Sequence, residues 1–202
     1  MEKILAENIS YIPTIEEPLS SDVIIVRGKE NTYIFDVGNN NEVTDYLNAL
    51  PGKKTVIISH FHADHAGKLA ETECEKIYVG NQTKKSLGLG DVITKPLTIS
   101  DGIKIDIIPC ASSHAKGSLL MMIDDTYLFT GDSLYSAYKD NNAIYNVSLL
   151  SEQIRTLKAL PATKYFLDHR KGRFLSKELN IRQLETVYQK RLPGEAFITI
   201  PY

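Results

Sequence analysis

Cysteine is almost missing from this chain. Cys74 and Cys110 are its only two, too few for a disulfide framework, and a reducing cytoplasm is the simplest compartment for such a protein. No apolar run approaches membrane-spanning length, so no membrane association is expected. The opening residues, Met1 to Asn8, lack the basic-then-apolar order of a signal peptide. Neither charge dominates: 23 Lys and Arg against 25 Asp and Glu leave a formal net charge of −2, which gives no electrostatic case for nucleic acid. Low-complexity stretches and long linkers are absent too. What is there is ordinary, 43% apolar and 24% charged residues in a chain of 202, long enough for a sizeable core. That length suits one domain over residues 1–202, with internal halves of about 1–98 and 99–202.

Histidine is also scarce, with five in the whole chain, and three of them stand together. Thr55 to Ile58 is a β-prone run that ends in His60-Phe61-His62-Ala63-Asp64-His65. In extended chain, residues two apart point the same way, so His60 and His62 can share one metal ion. Asp64 and His65 follow where the strand turns and can face a second position nearby. Gly67 suits a tight turn, with a short helix from Lys68 to Glu73 beyond it. Three imidazoles and a carboxylate within six residues suit a Zn²⁺-type ion. The remaining two histidines, His114 and His169, each stand at the exit of a strand-like run, which makes unrelated roles for them improbable.

The rest of the chain reads as short elements. Ile4 to Ile12 is a strand, and Asp22 to Arg27 with Asn31 to Val37 form a hairpin. Asn41 to Leu50 is a helix stopped by Pro51-Gly52. Lys76 to Val79 is a strand, Asn81 to Leu87 a helix, and Ile99 to Ile108 a pair of strands around Asp101-Gly102. A helix over Lys177 to Gln189 and a strand over Ala196 to Ile200 complete the list.

The plan occurs twice. Thr32-Tyr33-Ile34-Phe35 before Asp36 returns as Thr126-Tyr127-Leu128-Phe129 before Asp132, and Leu47 to Pro51 returns as Leu157 to Pro161. The strand ending at His60 is matched by Lys164 to Asp168, ending at His169. The repeat predicts two related layers, with His60 and His169 at equivalent strand ends facing one cleft. It also exposes an insertion: Thr32 to Leu47 spans 15 positions, but Thr126 to Leu157 spans 31. The extra residues fall at about 133–145, rich in Tyr and Asn, beside Asp132 and well placed to touch a substrate. Cys110, four before His114, reads as a small buried residue or a support for that histidine.

The order His60-x-His62-x-Asp64-His65, then His114 in Ser-His-Ala-Lys-Gly-Ser, Asp132 in Phe-Thr-Gly-Asp-Ser and His169 at a late strand end resembles the metallo-β-lactamase superfamily over essentially the whole chain. The resemblance implies an α/β fold, a four-layer αββα sandwich with the site along one edge of its two sheets. It implies two divalent ions, zinc first and iron or manganese as alternatives. His60, His62 and His114 would hold one, Asp64, His65 and His169 the second, and Asp132 would bridge them as in the glyoxalase II-like branch. Asp36 would orient the metal loops. Relatives often read glycine-histidine at the last motif, where this chain has Asp168-His169. These 202 residues show no counterpart of the helical region with which glyoxalase II enzymes hold glutathione.

The expected activity is hydrolysis of a small ester, thioester or lactone by a metal-bridging hydroxide. Asp64 would orient the nucleophile and relay a proton, and Tyr135 and Tyr138 would hydrogen-bond a developing oxyanion. Arg170, Lys171 and Arg173 would receive a carboxylate or phosphate on the substrate. The alternatives are a phosphodiesterase, an iron-dependent oxidoreductase on the same fold, or a non-catalytic metal-binding protein. The intact Asp64 weighs against the last. The expected partner is a small molecule; the oligomeric state is left open.

Overall fold

Alternation of side chains decides the architecture. In a computed structural model describing residues 2–170 and 174–201, two sheets lie face to face, with helices on their outer sides. The first sheet runs in sequence order: β1 (Lys3–Ala6), β2 (Ile9–Ile12), β3 (Val23–Arg27), β4 (Asn31–Phe35), β5 (Lys53–Ile57), β6 (Lys76–Val79) and β7 (Asp91–Val92). The second has the order β15-β14-β11-β10-β9-β8, from β8 (Leu97–Ser100), β9 (Lys104–Cys110), β10 (Ser118–Ile123), β11 (Tyr127–Phe129), β14 (Lys164–Phe166) and β15 (Leu175–Ser176). A third, small sheet joins β12 (Ala137–Lys139), β13 (Asn142–Asn146) and β16 (Phe197–Pro201).

Successive strand residues point to opposite faces, and three apolar clusters follow. Ile24, Val26, Tyr33, Phe35 and Ile57 meet Ile105, Ile107, Leu119, Met121, Phe129 and Phe166 between the sheets. Their neighbours Val23, Ile25, Ile34, Val56 and Ile58 face the other way, onto Val43 and Leu47 of helix α1 (Asn41–Ala49). On the far side, Leu120, Met122, Leu128, Tyr165 and Leu167 pack on Leu150, Ile154 and Leu157 of α4 (Val147–Ala159) and on Ile181 and Leu184 of α5 (Lys177–Tyr188). The result is the expected αββα sandwich. Cys110 belongs to this last cluster, its sulfur near Gln153 rather than His114.

The strand expected over Ile4 to Ile12 is in fact a hairpin, β1 pairing with β2 through Lys3↔Tyr11 and Ile4↔Ser10. The helix expected at Lys68 to Glu73 is also placed differently. One helical turn, α2 (Ala63–Ala66), already carries Asp64 and His65, and a 3₁₀ turn follows at Leu69–Glu71. Gly67 has an ordinary helical φ of −59°, so it continues this turn instead of reversing the chain.

The repeated plan positions the histidines. In each large sheet an antiparallel pair (β3–β4, β10–β11) is followed by a helix and a strand parallel to the second member. The last paired residues are Phe35↔Ile57 in one and Phe129↔Phe166 in the other, so His60 and His169 each lie three residues past their strand's final pair. The same register corrects one correspondence. Asp36 N–H donates to Ile57 O (2.9 Å) as Thr130 N–H donates to Phe166 O (3.1 Å), so the counterpart of Asp36 is Thr130, not Asp132.

The His114 loop is seated by two glycines. A Cβ on Gly80, just before α3 (Asn81–Leu87), would lie 1.7 Å from Gly117 O, so backbone meets backbone with no side chain between.

Candidate metal centre

An imidazole can offer a metal only the nitrogen that its other hydrogen bond leaves bare. Asp36, fully buried at the end of β4 and held at φ +61°, sets this arrangement for two histidines. Its Oδ1 accepts from Ser59 N–H (2.7 Å), and its Oδ2 accepts from Ser59 Oγ (2.7 Å) and from His65 Nδ1 (2.8 Å). Ser59 Oγ, having given its proton to Asp36, accepts from His60 Nδ1 at 3.0 Å. His114 Nδ1 faces Ser136 O at 3.0 Å, and a carbonyl can only accept. Thr14 Oγ1 donates to Ser20 O (2.7 Å), so toward His169 Nδ1, at 3.1 Å, it accepts. In four histidines Nδ1 is thus the nitrogen held by a neighbour, and Nε2 the one left for a metal.

Those nitrogens converge in two groups. His62 Nδ1 lies 2.9 Å from His60 Nε2 and 3.1 Å from His114 Nε2, so three imidazole nitrogens face one point. Burial, with the neighbouring His65, lowers the pKa of His60; burial and then His114 lower that of His62. Both rings are therefore neutral, the form that binds metal.

Asp64, His65, Asp132 and His169 form the second group. Asp64 Oδ2 is 3.5 Å from both His65 Nε2 and His169 Nε2. Asp132 stands between the groups, its carboxylate 3.4 Å from His65 Nε2, 3.5 Å from His114 Nε2 and 3.8 Å from His169 Nε2. His65 Nε2 and Asp132 Oδ1 are buried with no hydrogen-bond partner. Asp36, Asp64 and Asp132 gather here, and among the described residues no lysine or arginine forms an ion pair with any of them. Burial alone would raise the carboxyls of Asp64 and Asp132, yet hydrogen bonds and charge from His169 and His65 bring both below the usual carboxylate range. The carboxylates in turn raise His65, against burial, and His169, so each Nε2 holds a proton that a metal ion would displace. Converging imidazole nitrogens, an orphaned carboxylate oxygen and carboxylates with no lysine or arginine paired to them among the described residues form a donor set that suits divalent cations.

Each expected metal residue therefore falls in one of two adjoining groups. The tyrosines divide. Tyr135 was expected to serve an oxyanion, but its hydroxyl donates to Asp168 O (2.6 Å), which commits that proton to bracing the turn before His169. Tyr138 lies on β12, exposed, with its hydroxyl donating to Asn141 Oδ1 (2.9 Å) on an exposed turn. Arg170 follows His169, its guanidinium 6.0 Å from the centre of the Tyr135 ring. Lys171 and Arg173 lie outside the described residues.

Three supporting residues went unforeseen. Asp22 clamps His169, which sits at φ +62°: its Oδ2 accepts from His169 N–H and its Oδ1 from Thr14 N–H, both 3.0 Å. Thr14 sets the His169 tautomer. Asp168 occupies the position that Ser59 holds in the other sheet, and like Ser59 it faces His65 Nδ1, at 3.5 Å. Burial first, reinforced by Asp22, Asp36 and Asp132, raises its carboxyl well above the usual range against the pull of His65. Its place before His169 was the one visible signal. Thr14 and Asp22, about 150 positions from His169, gave none.

Fold and site together define an αββα protein with two adjoining groups of candidate metal ligands along one sandwich edge. The family profile described as "Metallo-beta-lactamase superfamily" matches residues 17–71, which hold Asp36 and the first histidine cluster. A hydroxyacylglutathione hydrolase from Shewanella sp. (strain ANA-3) is 28% identical over 160 residues, 70% of this chain and 58% of that protein. The chain thus spans little more than half the length of the curated relative it matches. Among solved structures, an archaeal metallo-β-lactamase superfamily protein from Sulfolobus tokodaii superposes with a TM-score of 0.62 at 20% identity, covering 93% of this chain and 88% of that one. A flavo di-iron protein variant from Thermotoga maritima gives 0.64 at 13% identity, over 96% and 63%. Over residues 17–71 the chain is thus similar to the metallo-β-lactamase superfamily, and over 160 residues to a hydroxyacylglutathione hydrolase.

Proposed function

We propose that the protein is a metal-dependent hydrolase of a small ester, thioester or lactone, with one divalent ion held by His60, His62 and His114, a second by Asp64, His65 and His169, and Asp132 between them. The observation that carries this reading is the set of five imidazole nitrogens and two carboxylates converging at an edge that stays open, with the side chains of His114, Asp64 and His169 still 19%, 16% and 27% exposed. Divalent ions bound there, zinc before iron or manganese, would supply an acidified water as nucleophile and polarise the acyl carbonyl. Asp64 orients that water and takes up its proton. The water oxygen bonds to the acyl carbon, the bond to the leaving oxygen or sulfur breaks, and the proton passes from Asp64 to the leaving group. Of the two tyrosines, Tyr138 is the one placed to meet a ligand. The relative named as a hydroxyacylglutathione hydrolase supports the thioester class. A small molecule is the partner this reading requires.

The test is turnover of a panel of thioesters, lactones, aryl esters and phosphodiesters by metal-loaded protein. We expect an acyl compound to be the best substrate, and Asp64→Asn, compared at equal metal occupancy, to slow it by about 10²–10⁴-fold. Hydrolysis of phosphodiesters alone, or a near-native rate in Asp64→Asn, contradicts the proposal. The likeness to a flavo di-iron protein supports one rival, an iron-dependent oxidoreductase. Iron as the sole bound metal, with oxygen consumed in the presence of a reductant and no hydrolysis, would establish it.

A further inference from the structure

An open cleft of about 880 Å³ has His114 in its wall, and most of the rest of that wall comes from the small third sheet. Register explains why. Tyr138 pairs with Ala143 across β12 and β13, and Ala143 pairs with Ile200 across β13 and β16. These three side chains form one row on one face, and Tyr145, two residues beyond Ala143, falls on the same face. A small residue between Tyr138 and Ile200 leaves a shallow apolar slot. Arg170 also lines the cleft, and no acidic side chain does so among the described residues. The volume suits a small molecule rather than a polymer.

The geometry points to this cleft as the seat of the substrate's acyl group, and to an acyl group with an apolar, flat or extended body and a terminal anion as the class it takes. The body lies along the Tyr138–Ala143–Ile200 row. The anion, a carboxylate or a phosphate monoester, meets the Arg170 guanidinium, whose planar fork matches either group. A cationic acyl group finds no partner along this wall. The inference rests on the hydrolase reading and deepens it. It assigns specificity to an inserted hairpin and the strand that pairs with it, apart from the residues that hold metal.

Binding and turnover are tested separately. For binding, the metal-loaded protein is titrated calorimetrically with 4-butylbenzoate, 4-butylphenyl phosphate and the neutral 4-butylbenzamide. We expect at least one anion to bind about tenfold or more tightly than the amide, the size of effect one charge-assisted contact gives. Arg170→Gln should abolish that preference at unchanged metal content. Ala143→Phe, which fills the slot from a half-buried strand, should weaken all three. For turnover, a thioester with a terminal carboxylate is compared with its carboxamide isostere, and the carboxylate should have the lower KM. Equal affinities for anion and amide overturn the inference. So does a preference that survives Arg170→Gln, because the anion then sits on the metals, or an Ala143→Phe variant that binds normally. Arg170-dependent binding with no acyl compound hydrolysed leaves the cleft assignment standing and removes the hydrolase reading. Hydrolysis indifferent to charge and to Arg170 does the reverse.

Discussion

Four of the five histidines at the sandwich edge are useful because something else holds their second nitrogen. For His169 that partner is Thr14 Oγ1, itself fixed by Ser20 O and Asp22. Thr14→Val keeps the shape and removes the acceptor, so the second ion should bind about 10–100-fold more weakly while the first is unaffected. Competition with a calibrated chelator measures this, and unchanged affinities would remove Thr14 from the account. Tyr135→Phe should act in the same way, through the Asp168–His169 turn, lowering metal retention and leaving kcat near native once metal is saturating. A large loss of kcat at full occupancy would restore Tyr135 as an oxyanion donor. At this scale the donor side chains were legible because the chemistry needs their types at short, recognisable spacing. Their supports were not: the Thr14–His169 contact joins residues 155 positions apart, and nothing local in a threonine distinguishes it from any other.

Among elements, the third sheet is where expectation and structure part. Counting along the repeat located the insertion, and the composition of β16 made it a strand, but nothing in either segment announced that they pair. Five residue pairs from Asn142↔Pro201 to Asn146↔Phe197 join them, and Ile198 anchors the assembly in the core beneath α4 and α5. Ile198→Ala should cost about 2–5 kcal/mol in this part of the molecule. Backbone amides of β12 and β13 should then exchange with solvent faster, while those of β4 and β5 keep their protection. Uniform acceleration across both large sheets would mean that the third sheet is no separate unit. The misplaced helix near Lys68 has a simpler cause. Gly67 resembles a stop in sequence, but its neighbours already form a turn begun at Ala63, and glycine accepts helical φ as readily as any other value.

At the scale of the whole molecule, two sheets with separate hydrophobic faces meet so that the loops after β5 and β14 open at the same edge. The internal repeat made two facing layers readable, and the four-layer sandwich itself was what the resemblance implied rather than what any strand's periodicity showed. Among the described residues, the edge collects buried carboxylates with no lysine or arginine paired to them, which is unfavourable unless ions are bound. Removing metal should therefore lower the melting temperature, by an amount that grows with the free-metal concentration against which it is compared. The central claim is that the two groups hold two ions. Elemental analysis of the purified native protein, beside His169→Ala, tests it most directly. The account expects two ions per chain in the native protein and one, held by His60, His62 and His114, in the variant. A single ion per chain that the substitution leaves untouched would contradict it.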